Sequence, residues 1–130
     1  MASQETEKRR LSPDDIAVLK NDLLKRKQNL WDEMIHDLER DAREDHQDLI
    51  DTIRDRGDEA LEELRERTVF SLIEMKHREL QEIEDALRRI ESDKYGRCMD
   101  CGGWIRLKRL KAMPHAVRCR RCQAEQEKRG

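Results

Sequence analysis

Residues 69–90 read VFSLIEMKHRELQEIEDALRRI, and the apolar side chains in this stretch recur in alternating steps of four and three residues. The series consists of Val69, Ile73, Leu80, Ile83, Leu87 and Ile90, interrupted only by Lys76. This spacing is typical of a helix that packs along a partner helix. The stretch therefore predicts one helix of an antiparallel coiled coil, with Leu80, Ile83 and Leu87 buried at its seam.

The partner helix lies earlier in the chain. Ser12 suits an N-cap and Pro13 suits a first helical position, and neither Gly nor Pro follows before Gly57. One apolar stripe connects Ile16, Leu19, Leu23, Leu30, Met34, Leu38, Ala42, Leu49 and Ile53. We therefore expect a first helix from about Pro13 to Arg54, roughly 63 Å long at ~1.5 Å per residue. Residues 41–48 are the least apolar part of it.

The break between the two helices reads Asp55-Arg56-Gly57-Asp58-Glu59-Ala60. Gly57 suits the left-handed residue that ends a helix, and Asp58 suits the N-cap of the next one. Asp55 lies where the helix dipole mildly disfavours an acid, which makes it a candidate functional residue. Residues 55–60, called the tip segment below, would then lie at the far end of a helical hairpin.

The composition agrees with long helices rather than with an ordinary globular core. Charged residues make up 45% of the 130-residue chain and hydrophobic residues 35%, while Ala, Glu, Lys, Leu and Arg together make up about half. No apolar stretch is long enough to span a bilayer, and the N-terminus has no apolar signal region. We therefore expect a cytoplasmic protein without membrane contact, in which residues 1–10 form a disordered tail.

Four cysteines follow the hairpin in the pattern C-x2-C-x17-C-x2-C, at Cys98, Cys101, Cys119 and Cys122. Two such pairs can supply the four tetrahedral thiolate ligands of one structural zinc ion. A pair of disulfides is the alternative, which a cytosolic setting disfavours. Gly102 and Gly103 follow the second cysteine, where a metal-binding turn needs backbone freedom.

Residues 98–130 carry nine Lys/Arg against three Asp/Glu, whereas the rest of the chain is acidic. This basic character is typical of nucleic-acid binding, but Arg97, Arg118, Arg120 and Arg121 could equally offset the net charge of −2 on a zinc ion with four thiolates. Both interpretations remain open from the sequence.

An enzyme is not expected. Four thiolate ligands leave no open zinc position for a water molecule, and the chain has no phosphate-binding glycine loop or nucleophile motif. The four histidines, His36, His46, His77 and His115, are scattered and are interpreted as surface or packing residues.

The predicted fold class is all-α: a long antiparallel coiled-coil helical hairpin with a small C-terminal four-cysteine zinc-finger head. The predicted divisions are a tail at 1–10, the hairpin at 11–93 with its tip at 55–60, and a head at 94–130 that includes a short C-terminal helix.

The combination of tip and head resembles the DksA/TraR family of RNA polymerase-binding transcription regulators. Asp55, Asp58 and Ala60 fall on the tip motif D-x-x-D-x-A of that family. Residues 95–98 (YGRC), 101–102 (CG) and 105–110 (IRLKRL), with Pro114 after them, are similar to its zinc-finger head. The resemblance covers about residues 11–125.

The resemblance implies a function as well as a fold. Members insert their coiled coil into the secondary channel of bacterial RNA polymerase, bring the tip near the active centre, and change the lifetime of promoter complexes without reading DNA sequence. They often act with the alarmone ppGpp, in the stringent response. Compared with the longest members, we expect this chain to lack a helical segment before the coiled coil, and with it any alarmone or polymerase contact that depends on such a segment.

Two other functions fit parts of the sequence. The basic head would suit a DNA-binding zinc finger with a coiled-coil arm, in which Trp104 stacks on a base or, more simply, packs in the head. A transcript-cleavage factor also sends tip acids into the polymerase channel, where they help to hold a catalytic Mg²⁺, but such factors do not share the four-cysteine head.

Overall fold

The computed structural model describes residues 10–129, apart from the side chains at positions 58, 61 and 62. The predicted tail lies outside the described residues except for Arg10. The described part of the chain contains six α-helices and one 3-10 turn: α1 Pro13–Arg40, α2 Gln47–Arg56, the 3-10 turn Gly57–Ala60, α3 Leu61–Arg65, α4 Phe70–Glu91, α5 Leu107–Ala112 and α6 Arg120–Arg129. Within residues 10–129 the only β-type pairing is an isolated bridge between Arg97 and Trp104. The predicted all-α class is confirmed.

The start of α1 is capped as the sequence predicts. The Ser12 hydroxyl accepts a hydrogen bond from the backbone N–H of Asp15 at 3.0 Å, and the Asp15 carboxylate accepts one from the Ser12 N–H at 3.2 Å. This reciprocal arrangement is a capping box with Asp in the acidic position, and it satisfies two donors that a helix start otherwise leaves free.

The prediction of one continuous helix from Pro13 to Arg54 is wrong. α1 ends at Arg40, and α2 begins at Gln47 after six non-helical residues. Ala42, a member of the predicted stripe, is exposed in this break. The apolar spacing carries over from one helix to the next, but Asp41 and Asp45 bind nearby backbone N–H groups and so favour a turn over helix.

The second half of the hairpin is also interrupted. α3 ends at Arg65, and the long helix α4 starts only at Phe70. Ala60 occupies the N-cap position of α3, so the prediction that Asp58 lies at that position is wrong. Gly57 has a φ of 54°, as predicted for the residue that ends the preceding helix, and its N–H is bonded to the carbonyl oxygen of Ile53.

The chain forms two compact units, and the first contains the zinc-finger head. It combines Met1–Lys25 with Glu82–Gly130. Its buried side chains come from the start of α1 and the residues just before it, from the end of α4 and from the head. They include Leu11, Leu19, Leu23, Ile83, Ala86, Tyr95, Ile105 and Leu110. Leu87 is only half-buried, which corrects the prediction that it lies in the seam; Ala86 is fully buried instead.

The second unit is Arg26–Gln81. Here the later part of α1 lies antiparallel to α4, as two ion pairs show. Arg26 pairs with Glu79 at 2.7 Å, and Asp37, further along α1, pairs with Lys76, which comes earlier in α4, at 2.5 Å. Lys76, the residue that breaks the apolar series, is thus held at the edge of the seam by an acid on α1. The neighbouring His77 is buried, with its ring against Phe70 at a centroid distance of 5.0 Å.

Helix α2 runs beside α1 instead of extending it. Ile53, Arg54 and Gly57 line one groove of about 620 Å³ together with residues of α1 between 27 and 39. A continuous helix would separate Gln28 from Gly57 by roughly 43 Å at ~1.5 Å per residue, too far for both to line this groove. Within this unit α1 therefore does not continue as one straight helix to the tip segment, contrary to the sequence-based expectation.

Among the helices of residues 10–129, none combines the length and the apolar character that crossing a membrane requires.

Candidate metal centre and tip segment

The first cysteine pair lies on a tight turn closed by backbone hydrogen bonds. The Cys98 N–H donates to the carbonyl oxygen of Gly103 at 2.8 Å, and the Gly102 N–H donates to the carbonyl oxygen of Cys98 at 3.0 Å. Gly102 has a φ of 75°, a backbone conformation that favours glycine. The turn directs the sulfur atoms of Cys98 and Cys101 to the same side.

The second pair lies at the start of α6. The Gln123 N–H donates to the carbonyl oxygen of Cys119 at 2.9 Å, so Cys119 immediately precedes the helix and Cys122 lies in its first turn. A bond of 2.8 Å from the Met99 N–H to the carbonyl oxygen of Val117 joins the two cysteine-bearing segments. These backbone contacts fix both pairs before any metal is considered.

The four sulfur atoms form one cluster, with all of them within 4.8 Å of one another. Cys101 and Cys119 have a sulfur–sulfur distance of 4.0 Å, and four thiolates at ~2.3 Å around a tetrahedral zinc ion would lie about 3.8 Å apart. Cys98 and Cys122 are buried, Cys119 is partly buried, and Cys101 is exposed. The geometry therefore fits a single tetrahedral ion.

The electrostatics of the cluster also call for a cation. Burial acts to raise the pKa of the Cys98 thiol, but hydrogen bonds from the backbone N–H groups of Cys101, Cys119 and Asp100 lower that pKa to about 6. Hydrogen bonding with Cys119, together with burial, raises the pKa of Cys122 to about 12. One thiolate therefore forms readily while another is strongly disfavoured beside it, and a divalent cation removes that penalty.

Packing next to the first cysteine supports the same turn. Gly96 has a φ of 90°, and a Cβ atom there would lie 2.9 Å from Cδ1 of Leu11. The Arg97 guanidinium lies 4.1 Å from the ring centroid of Trp104 and donates to the carbonyl oxygen of Gly102 at 2.9 Å. Trp104 is thus half-buried under a cation. This contact supports the interpretation of Trp104 as a packing residue.

Two arginines near the second pair have partners within the head. Arg118 pairs with Asp100 at 2.8 Å, and Arg109 donates to the carbonyl oxygen of Arg118 at 3.0 Å. Attraction to the Cys122 and Cys119 sulfurs raises the pKa of Arg121. Part of the basic charge of the head thus serves its own structure, in line with the second interpretation given above.

The tip segment belongs to the other compact unit, and its residues differ in exposure. Asp55 is exposed near the end of α2 and makes no hydrogen bond or ion pair with the residues that the structure describes. Ala60 is fully buried. The backbone of Asp58 lies in the 3-10 turn, whereas its side chain is outside the described part of the chain. Asp55 and Ala60 therefore do not share one exposed surface.

Sequence reasoning missed a polar cluster at the break between α1 and α2. Nε2 of His46 lies 2.8 Å from Oδ2 of Asp41, and both side chains are buried. The available sequence signal was two aspartates, Asp41 and Asp45, in the least apolar part of the predicted helix. Aspartate in such a place favours local turns.

Comparison with known proteins agrees with this description. Residues 93–128 match the family model of the prokaryotic dksA/traR C4-type zinc finger. The RNA polymerase-binding transcription factor DksA of Caulobacter vibrioides is 37% identical over 86 residues, in two strains alike, and these cover 66% of this chain and 56% of that protein. The chain therefore spans just over half the length of the curated relatives it matches.

A solved structure extends the likeness over most of the chain. The transcription factor DksA2 from Pseudomonas aeruginosa superimposes with a TM-score of 0.57 and 27% sequence identity, covering 91% of this chain and 87% of that one. These relatives are named as transcription factors rather than as enzymes.

The fold and the cysteine cluster together define a helical protein with a C4-type zinc finger that holds a single structural zinc ion. The family model, the curated relative and the solved structure all support the DksA/TraR family for this chain.

Proposed function

We propose that this protein is a transcription regulator that binds bacterial RNA polymerase, inserts the unit bearing the tip segment into the secondary channel, and modulates transcription initiation. The observation that carries the proposal is a four-cysteine head combined with an exposed Asp55 that pairs with none of the described residues, in a chain whose relatives are named RNA polymerase-binding transcription factors. Such a role places the protein in the cytoplasm.

In this proposal each of the four cysteines is a zinc ligand. Four thiolates complete the coordination of the ion, so the zinc shapes the head instead of activating water. The head and the helices would supply most of the contact area with polymerase, since binding energy at an interface comes from well-packed side chains.

Asp55 would act by its charge near the polymerase active centre. Nothing among the described residues neutralises it, and its exposure leaves it available to a partner. Asp58 is proposed as the second acid on the basis of the tip motif. Ala60 is buried, so its part in the proposal is to pack the tip segment rather than to contact polymerase.

A competition experiment tests the proposal. Zinc-loaded protein is mixed with core RNA polymerase, and binding is measured with and without a transcript-cleavage factor that occupies the secondary channel. We expect binding that the competitor abolishes and that duplex DNA does not. Absence of binding, or binding that the competitor leaves unchanged, would overturn the proposed site.

Two further assays distinguish the proposed function from the two alternatives. Release of short 3′ RNA fragments from a stalled polymerase would indicate a cleavage factor, whereas a strongly salt-dependent affinity for free duplex DNA would indicate a DNA-binding zinc finger. The proposal includes ppGpp as a co-effector at the polymerase interface, and repeating the transcription assay with the nucleotide tests that part.

A further inference from the structure

The six residues between α1 and α2 contain a cluster of hydrogen-bonded polar side chains. The carboxylate of Asp41 accepts hydrogen bonds from the backbone N–H of Arg43 at 3.2 Å and from its Nε at 3.0 Å, and it lies 2.8 Å from Nε2 of His46. The side chains of Asp41 and His46 are 8% and 6% exposed, respectively. A buried charge that loses one of its partners is poorly compensated, which destabilises the structure. This network of partners therefore favours a single local conformation of the loop.

The cluster is joined to both helices that it separates. The Asp41 N–H donates to the carbonyl oxygen of Leu38 in α1, at 3.4 Å. On the other side the carbonyl oxygen of His46 accepts from the Ile50 N–H at 2.9 Å, which begins the hydrogen bonding of α2. The Asp45 carboxylate accepts from the Gln47 N–H at 2.9 Å, which satisfies another free donor at that helix start.

Without such a cluster the sequence favours a different local structure. Leu38, Ala42, Leu49 and Ile53 keep one helical stripe across the break, and no Gly or Pro interrupts it. An uninterrupted helix would point residues 47–56 away from the rest of α1. In the structure, Arg54 instead lies 4.0 Å from Glu39, and Ile53, Arg54 and Gly57 line the groove beside α1.

We propose that Asp41 and His46 act as a positioning pair that reverses the chain after α1 and thereby sets where α2 presents the tip segment. The structural part of this inference stands independently of the function proposed above. Its consequence for transcription rests on that function. Asp41 and His46, just before the start of α2, would determine where the tip acids at the other end of α2 are positioned.

A distance measurement tests the structural part. Nitroxide labels are attached to ketone-bearing amino acids at positions 28 and 54, so that the zinc-binding cysteines remain untouched. Both positions line the same groove, whose α1 side extends over roughly 20 Å, whereas one continuous helix would separate them by about 39 Å. Pulsed electron resonance distinguishes these two distances.

We expect the short distance in the parent protein and in the control Glu44→Ala, which removes an exposed acid from the same loop. Asp41→Ala should shift the distribution toward the longer distance. If Asp41→Ala does not fold, as judged from helical content and bound zinc, the milder Asp41→Asn decides instead. A parent distance near 39 Å, or a variant distribution identical to that of the parent, would overturn the inference.

A transcription assay separates this inference from the proposed function. If both stand, Asp41→Asn changes regulation several-fold although Asp55 is intact, and Glu44→Ala does not. If Asp55→Asn abolishes regulation while Asp41→Asn leaves it unchanged, the positioning role fails and the proposed function survives. If neither variant changes regulation, the proposed function fails, and the distance measurement still decides the structural part.

Discussion

The hydroxyl of Tyr95 donates a 2.7 Å hydrogen bond to the carbonyl oxygen of Pro114, which joins the entry of the zinc-finger head to the segment after α5. Tyr95 is 5% exposed, and burial raises the pKa of its hydroxyl above the ordinary value. The residue therefore stays a neutral donor at all physiological pH values. This contact gives the first prediction.

Tyr95→Phe should loosen the head without abolishing zinc binding. Loss of one neutral hydrogen bond costs about 1 kcal/mol, which corresponds to roughly a fivefold change in an equilibrium constant. We expect zinc transfer to a chelator to become more favourable by about that factor, as measured by competition titration. Unchanged transfer would show that the bond does not support the site.

Removing one ligand should have a much larger effect on the metal than on the helices. Cys101→Ser replaces a thiolate with a hydroxyl, so the zinc content of the purified protein should fall sharply. The cores of the long helices α1 and α4 contain none of the four cysteines, so far-ultraviolet circular dichroism should change little. Full zinc content in the variant would contradict the four-ligand assignment.

Leu80 and Leu87 form a matched pair for measuring the packing of α4. Leu80 is fully buried, so Leu80→Ala should lower the free energy of unfolding by about 2–5 kcal/mol. Leu87 is half-buried, so Leu87→Ala should cost clearly less. Urea denaturation of both variants checks this, and equal losses would mean that the described burial does not govern stability.

The Asp41 cluster predicts a pH dependence with a defined sign. Hydrogen bonds from the Arg43 side chain, from His46 and from the Arg43 backbone N–H hold the pKa of the Asp41 carboxyl well below its usual range. A lowered pKa in the folded state stabilises the protein above the ordinary aspartate value of about 4, and that stabilisation is lost as the pH falls below it.

The comparison of parent with Asp41→Asn isolates this effect, because acid release of zinc is common to both proteins. The parent should be the more stable at pH 7, and the difference in the free energy of unfolding should shrink as the pH falls below about 4. A difference that does not vary with pH would show that the charge of Asp41 contributes nothing.

The zinc site was predictable from the sequence because its ligands come as two local pairs. Each C-x2-C turn fixes its own geometry, so spacing alone identified Cys98, Cys101, Cys119 and Cys122, and the structure brings their sulfurs together. The cap at Ser12 and the positive φ of Gly57 were predictable for the same reason. Each depends on residues within one turn of chain.

The path of the chain between the helices was not predictable from periodicity. An apolar stripe reports which residues share a helix face, but it does not report whether the helix is continuous, and side-chain bonds of Asp41 and Asp45 decided that locally. The residues buried at the seam also differ from the predicted ones. His77 and Ala86 are buried although neither belongs to the apolar series, and Ala86 takes the place expected for Leu87. Such choices depend on tertiary neighbours.

The proposed role of Asp55 is best tested by in vitro transcription from a ribosomal promoter with bacterial RNA polymerase, comparing the parent with Asp55→Asn. Asn keeps the shape of the side chain and removes the charge. Because a negative charge is mildly unfavourable near the end of α2, the substitution should leave the stability unchanged or slightly raised. We expect that the parent changes promoter activity, and that Asp55→Asn largely loses this effect while binding polymerase with similar affinity. A variant that regulates as the parent does would contradict the proposed role of the tip acid. A parent that neither binds polymerase nor changes transcription would contradict the proposed function itself.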